Sequence, residues 1–211
     1  MTVWDDSADS IHDHGHRESV GGLWDEIGPL QFDFLVAQGL RPNDVLVDVA
    51  CGSLRGGAHF IRYLEPRGYL GIEKRIELVI YGVAAELGSE LYREKRPRFV
   101  ISDQFEFHKF DRSPNFAIGQ SIFTHLDPSD IVLCLERLKA LASPSCRYYA
   151  SFREALAPQE NASRSHAHAV FAYTQQQLAE FAARAGWSFR YIGNWNHPRN
   201  QMMAEFQPLP R

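Results

Sequence analysis

The feature that most constrains this chain is a nearly continuous apolar run, VLVDVA at residues 45–50, broken only by Asp48. Runs of this kind are typical of strands that are covered on both faces, as in parallel sheets. The run ends in a glycine-rich turn, CGSLRGG at residues 51–57, and a helical pattern follows it. We therefore expect a buried strand that leads through a small-residue turn into a helix.

The rest of the chain repeats this alternation of strand and helix. Six further strands are predicted, at residues 69–73, 98–101, 115–119, 146–152, 189–195 and 202–206. Helix start signals precede two of the helical patterns, Asp127-Pro128 as an N-cap with a first-turn proline and Thr174-Gln177 as a capping box. The pattern predicts an α/β fold, a Rossmann-like doubly wound, mostly parallel seven-stranded sheet in three α/β/α layers. The last strand is expected to be antiparallel, because the final two strands are adjacent in the chain.

Length and composition fit one domain. The chain has 211 residues, 45% of them hydrophobic, which suffices for a single core. Residues 1–28 are polar, so we predict an N-terminal arm or lid there and one domain over residues 29–211, with its first helix beginning at Pro29.

The first residues lack the basic and apolar segments of a signal peptide, and no apolar run is long enough to span a membrane. A cytoplasmic protein without a membrane partner is expected.

Charge and metal-binding residue types limit the partners. The net charge of −4 offers no basic surplus for phosphates, so no nucleic-acid partner is expected. The three cysteines, Cys51, Cys134 and Cys146, are widely spaced and predict neither disulfides nor a zinc site. The histidines within residues 12–16 lie in a predicted mobile arm, which does not hold converging ligands, so no metal is predicted. A small-molecule substrate is expected, and a homodimer is left open.

Acidic and small residues stand at the ends of the first three predicted strands. Asp48 precedes the turn that contains Gly52, Glu73 closes the second strand, and Asp103 follows the third. Ligands of doubly wound sheets bind beyond the carboxyl ends of the strands. A carboxylate there can accept hydrogen bonds from ribose hydroxyls or from an exocyclic amine. Together the three positions predict a nucleoside pocket.

The turn after the first strand does not fit a dinucleotide. A G-x-G-x-x-G fingerprint needs glycine where Ala50 and Arg55 stand, and the Gly-Lys-Ser/Thr of a phosphate-binding loop is missing. An NAD(P)-binding oxidoreductase is therefore disfavoured, although it remains an alternative. A catalytically inactive nucleoside-binding or scaffold module is a second alternative.

At this point the chain resembles the class I S-adenosylmethionine-dependent methyltransferases of small-molecule type, over roughly residues 20–207. VLVDVACG at residues 45–52, YLGIE at 69–73 and NFAIGQSIFTHL at 115–126 resemble the first, second and fourth motifs of that superfamily. CGSLRGG and a C-terminal NHPR-x-Q segment mark the most similar members. The resemblance implies S-adenosylmethionine as the cofactor. The residues that it assigns to this cofactor are Asp48, Ala50, Cys51, Gly52, Ser53, Glu73, Lys74, Asp103, Gln120 and Ser121.

The resemblance also implies transfer of a methyl group to an aligned acceptor. Residues 119–122 read GQSI in place of the Asn/Asp-Pro-Pro-aromatic motif of many nitrogen methyltransferases, so O-methylation is favoured. A hydroxyl acceptor benefits from a general base, for which His166 is the first candidate and His197 the second. The acceptor pocket is expected between residues 11–28 and 153–172, which would form a lid. The candidates for binding the acceptor are Arg17, Trp24 and His125.

Overall fold

The protein is represented by a computed structural model that describes residues 11–166 and 168–210. The helices are α1 (Ile11–Glu18), α2 (Trp24–Ala37), α3 (Gly57–Tyr63), α4 (Ile76–Gly82), α5 (Gly88–Lys95), α6 (Pro128–Leu141) and α7 (Gln175–Arg184). The strands are β1 (Leu46–Val49), β2 (Tyr69–Glu73), β3 (Arg98–Ile101), β4 (Phe116–Gly119), β5 (Arg147–Glu154), β6 (Ala172–Tyr173), β7 (Trp187–Asn194) and β8 (Met202–Pro208). Within these described residues, no helix has the length and apolar character needed to cross a membrane.

The strands form one sheet in the order β3-β2-β1-β4-β5-β8-β7. The strands β1 to β5 pair in parallel, whereas β8 is antiparallel to both β5 and β7. This confirms the predicted mostly parallel sheet with an antiparallel C-terminal strand. The order reverses between β1 and β4, and such a switch point leaves a crevice at the carboxyl ends of the strands. The two-residue strand β6, which pairs with the end of β5, was not predicted because it is too short to show a pattern.

Apolar cores cover both faces of the sheet and produce the three layers. Successive β1 residues point to opposite faces, so that Val47 packs in the core that includes α6 and α7, and Leu46 packs in the core that includes α2 and α3. All residues of β1, β2 and β4 are buried. This double burial explains why these strands lack a polar alternation.

The helix before β1 begins earlier than predicted. α2 starts at Trp24, because Leu23 adopts a left-handed conformation (φ 47) and its carbonyl accepts a hydrogen bond from Ile27 N at 2.9 Å. Pro29, the predicted start, lies inside the helix. α2 therefore runs across residue 28, the predicted end of the arm.

The helical segment after β2 is not a single α-helix. α4 instead passes into a π-helical turn (Val83–Leu87), and α5 begins at Gly88. Gly88 has a φ of 72, which a residue without Cβ adopts at little cost, so it joins the two helices.

The predicted helix starts at Asp127 and Thr174 are confirmed. The Asp127 carboxylate accepts hydrogen bonds from the amides of Ser129 and Asp130, and Thr174 forms a capping box with Gln177. The Asp127 carboxylate also accepts from Ser165 N at 3.0 Å. This bond fastens the segment after β5 to the start of α6.

Candidate functional site

Two adjoining cavities lie beyond the carboxyl ends of the parallel strands. The larger one, here the main cleft, has a volume of ≈ 510 Å³, and the smaller one, the side pocket, has ≈ 170 Å³. They share Ala50, Glu73, Lys74, Ile122 and His125. The side chains that follow β1, β2, β3 and β4 therefore meet around one connected space.

The structure brings together nearly all of the residues predicted to hold the cofactor. Those that line the main cleft are Asp48, Ala50, Cys51, Gly52, Glu73, Lys74, Gln120 and Ser121, and Asp103 lines the side pocket. Ser53 is fully buried instead, and its hydroxyl donates to the carbonyl of His16 at 3.0 Å. Ser53 thus fastens α1 to the turn after β1.

The turn after β1 presents backbone and a buried acid to the main cleft. Ala50 (φ 58) and Gly52 (φ 55) are both left-handed, so this turn favours glycine at either position. A Cβ on Gly52 would lie 2.9 Å from Val20 Cγ1, which shows how tightly the arm packs on the turn. Asp48 is 4% exposed and accepts from the Tyr69 hydroxyl at 2.7 Å. Burial raises the pKa of Asp48 to about 7, although the Tyr69 hydrogen bond opposes the rise.

Glu73 lies where the two cavities join. Its carboxylate accepts hydrogen bonds from the amides of Gly52 at 3.0 Å, Lys74 at 2.9 Å and Arg75 at 3.1 Å. Burial raises the pKa of Glu73, and these amides counteract the rise. The acid is therefore held in one orientation, facing both cavities.

The side pocket is mostly apolar. Ile72, Phe105 and Leu126 contribute its apolar walls, and the exposed Asp103 stands at its edge. An apolar slot with Asp103 at one edge and Glu73 where it joins the main cleft suits a flat heteroaromatic ring that carries an amine.

A polar network closes the main cleft at the end of β4. Arg55 donates to Gln120 Oε1 at 2.7 Å, and the Gln120 amide nitrogen donates to Ser121 Oγ at 2.6 Å. Gln201 Nε2 donates to the same hydroxyl at 2.7 Å. Ser121 has a φ of 63, and its amide donates to Ser151 Oγ at 2.7 Å. Gln120 and Ser121 are thus fixed from several sides.

His197, predicted as a general base, stands behind this network and does not line either cavity. It is 3% exposed and stacks on Trp195, with ring centroids 5.2 Å apart. Its Nε2 lies 3.0 Å from the Gln120 amide nitrogen. Burial, together with the nearby Arg55 and Arg199, lowers the pKa of His197 to about 4. The neutral ring therefore supports Gln120 from behind.

The other predicted histidines lie near the segment after β5. His166 does not line either cavity, and its Nδ1 accepts from the His168 amide at 3.0 Å. His168, which was not selected, lines the main cleft. His125 lines both cavities, and its Nδ1 donates to the Ala169 carbonyl at 3.0 Å. Burial lowers the pKa of His125, while its carbonyl partners oppose the shift.

Arg17 and Trp24, predicted to bind the acceptor, lie outside both cavities. Arg17 Nε forms an ion pair with Glu86 at 2.9 Å, and the guanidinium lies 4.8 Å from the centroid of the Trp24 ring. These contacts connect α1 to the π-helical turn. The side chains of residues 12–14 lie outside the described residues, and the described ones form no group of three metal-binding side chains.

Sequence reasoning missed several polar residues of the main cleft, and three of them form its hydrogen-bonded network. Arg55, Arg199 and Gln201 all line the cleft. Arg55 belongs to CGSLRGG, and Arg199 and Gln201 belong to NHPR-x-Q, but none of the three was assigned a binding role from the sequence. The structure joins these segments through Gln120 and Ser121. The sequence offered one signal for them: Arg55 lies in the turn after the first predicted strand, and Arg199 and Gln201 lie just before the last one.

Comparison with solved structures supports the fold. DhpI in complex with SAH has a TM-score of 0.65 at 15% identity, over 95% of this chain and 91% of that one. The magnesium protoporphyrin IX methyltransferase ChlM from Synechocystis PCC 6803 with bound SAM has a TM-score of 0.63 at 15% identity, over 87% and 81%. The glycopeptide N-methyltransferase MtfA with SAM has a TM-score of 0.64 at 12% identity, over 87% and 94%. No protein-family model matches the chain.

Proposed function

We propose that this chain, which has the fold of the class I S-adenosylmethionine-dependent methyltransferases, transfers a methyl group from S-adenosylmethionine to an oxygen atom of a small molecule. One observation carries the proposal. Residues at the carboxyl ends of four parallel strands, Asp48, Glu73, Asp103 and Gln120, line two connected cavities, and Glu73 stands where the cavities join. The similar structures with bound SAM or SAH support this choice of donor.

The residues present fit the donor. The side pocket suits the adenine ring, with Asp103 beside its amine, and Glu73 offers carboxylate oxygens to the ribose hydroxyls. The methionine part would lie beside the turn at Gly52, whose backbone borders the main cleft, and Asp48 offers a buried acid for its ammonium. When bound, the sulfonium supplies a methyl group that is already activated for displacement. The protein has to align the acceptor and exclude water.

The acceptor side of the main cleft is built from the two predicted lid segments. Glu18 and Val20 of the arm line the cleft, as do Arg153, His168 and Val170 of the segment after β5. Closure of both segments over the cleft would exclude water from the reaction. We assign His168 as the group that accepts the hydroxyl proton, with its backbone fixed by His166 Nδ1.

Ligand binding tests the donor. S-adenosylhomocysteine at about 100 times its Kd is expected to raise the free energy of unfolding by about 2.7 kcal/mol, whereas NADH at the same concentration is expected to leave it unchanged. Thermal unfolding with each ligand measures this. Stabilisation by NADH alone would favour the oxidoreductase, and binding of S-adenosylmethionine without turnover of any acceptor would favour a scaffold.

Substitution tests the histidines. His168→Asn is expected to lower kcat by a factor of about 10²–10⁴, the usual contribution of general base catalysis. The Kd of S-adenosylhomocysteine should stay the same, because His168 lies on the acceptor side. His166→Asn and His197→Asn, the candidates from sequence, are expected to lower kcat less, because neither lines the cleft. His108→Asn, in the turn Phe107–Lys109, is the control. Unchanged turnover of His168→Asn would remove this assignment.

A further inference from the structure

We propose that the methyl acceptor carries an anionic group, a carboxylate or a phosphate, and that Arg55 and Arg199 bind this group in the main cleft. The inference rests on the proposed function, whose substrate it narrows. It follows from the positions, hydrogen bonds and charges of the two guanidinium groups.

Arg55 is a buried cation that faces the cleft. The residue is 8% exposed, and its Nη1 donates to the Gly22 carbonyl at 2.6 Å and its Nη2 to Gln120 Oε1 at 2.7 Å. Its Nε is buried and finds no hydrogen-bond partner among the described residues. Both partners of Arg55 are neutral, so its charge is not balanced by a contacting acid. A buried charge without a counter-charge is unfavourable, which makes this position attractive to an anion.

Arg199 adds a second cation at the same place. It lines the main cleft and donates to the carbonyl of Gly21, the residue next to the one that Arg55 contacts. Burial and the neighbouring Arg199 lower the pKa of Arg55 to about 10, although the charge of Asp48 opposes the fall. Among the described side chains, no carboxylate forms an ion pair with Arg55 or Arg199. Two guanidinium groups that donate to adjacent carbonyls place two positive charges in the same part of the cleft, which suits an oxyanion.

The charges of S-adenosylmethionine do not neutralise Arg55 and Arg199. The methionine part of S-adenosylmethionine carries one ammonium and one carboxylate, and the sulfonium adds a positive charge. The acids that line the cleft are the exposed Glu18 and the buried Asp48 and Glu73, and Glu73 already accepts hydrogen bonds from three backbone amides. Arg153 on the acceptor side increases the positive charge further. An anionic acceptor supplies the charge that the donor and the protein leave unbalanced.

Calorimetry on the protein saturated with S-adenosylhomocysteine tests the inference, with benzoate and its neutral analogue benzamide as probes. We expect benzoate to bind and benzamide not to bind. The Kd of benzoate should rise at least tenfold in Arg199→Gln and in Arg55→Gln. Arg199→Lys should restore part of the affinity, because it keeps the charge. Arg67→Gln is the matched control, since that exposed arginine pairs with Asp111 away from the cleft, and it should leave the Kd unchanged.

A second arm separates the acceptor from the carboxylate of the donor. S-adenosylhomocysteine and 5′-methylthioadenosine, which lacks the amino acid, are titrated into the wild type and Arg199→Gln. We expect the substitution to leave both affinities unchanged. A loss for S-adenosylhomocysteine alone would assign the arginines to the donor and overturn the inference. Binding of S-adenosylhomocysteine without selective binding of benzoate would also overturn it, and failure of S-adenosylhomocysteine to bind would remove the proposed function as well.

Discussion

The Asp48→Asn variant is expected to gain stability relative to the wild type as the pH rises from about 4 to 8. Burial raises the pKa of Asp48 from 3.8 to about 7, so that the folded protein holds a proton that the unfolded chain releases. This contribution is fully present below pH 3.8 and is lost as the pH rises through about 7. Because one pH unit corresponds to about 1.4 kcal/mol, the wild type loses about 4 kcal/mol of its free energy of unfolding across this range. Asparagine accepts the Tyr69 hydrogen bond without this titration. Urea unfolding at several pH values measures the difference.

Asp127→Asn provides a control of opposite sign. Burial would raise the pKa of Asp127, but hydrogen bonds from Ser129, Asp130 and Ser165 lower it overall. The stability that Asp127 contributes is therefore present above the unfolded pKa and is lost as the pH falls, so that its variant should differ most from the wild type at neutral pH. If Asp48→Asn and the wild type showed the same dependence on pH, Asp48 would be ionised in the folded protein.

The strands and their directions could be predicted because their signals are local. The buried run at residues 45–50 and the strand Tyr69–Glu73 have both faces covered, which leaves continuous apolar sequence. The closing hairpin was predicted from two adjacent strands alone. These features depend on which residues are apolar, and sequence displays that directly.

Other features depend on contacts between distant residues. The start of α2 at Trp24 follows from the left-handed Leu23, and the π-helical turn Val83–Leu87 contains no glycine or proline that would mark an irregular turn. A two-residue strand such as β6 exists only because β5 lies beside it. Local propensity does not contain this information.

The residues of the site also fall into those that local sequence could place and those that depend on contacts between distant segments. Glu73 and Asp103 could be placed because the end of a parallel strand always faces the ligand edge of the sheet. The positions of Arg55 and Arg199 depend on how two loops and the arm meet, which no spacing in the sequence reveals. Arg17 shows the opposite error. An arginine is a suitable residue type for binding an acceptor, but this one pairs with Glu86 outside the cavities.

Glu73→Gln is expected to weaken the binding of S-adenosylhomocysteine by a factor of about 10–150. Hydrogen bonds to a charged group contribute about 1.5–3 kcal/mol, and the substitution removes the charge while it keeps the volume. Glutamine can keep its oxygen on the amides of Lys74 and Arg75, whereas its amide nitrogen replaces the oxygen that accepts from Gly52 N, so the variant loses one backbone hydrogen bond. Calorimetry measures the Kd, and the thermal midpoint without ligand controls for folding. Glu106→Gln, at a carboxylate outside both cavities, is the matched control.

The role of Glu73 at the ribose can be separated from a general loss of binding. Because its carboxylate is fixed by three backbone amides, it can meet the two hydroxyls of a ribose only in one orientation. We therefore expect the wild type to bind adenosine more tightly than 2′-deoxyadenosine, and Glu73→Gln to reduce that preference. The difference between the two proteins in this preference measures the interaction energy between the Glu73 carboxylate and the 2′-hydroxyl. An equal preference in both proteins would show that Glu73 acts through the turn at Gly52 and does not contact the sugar.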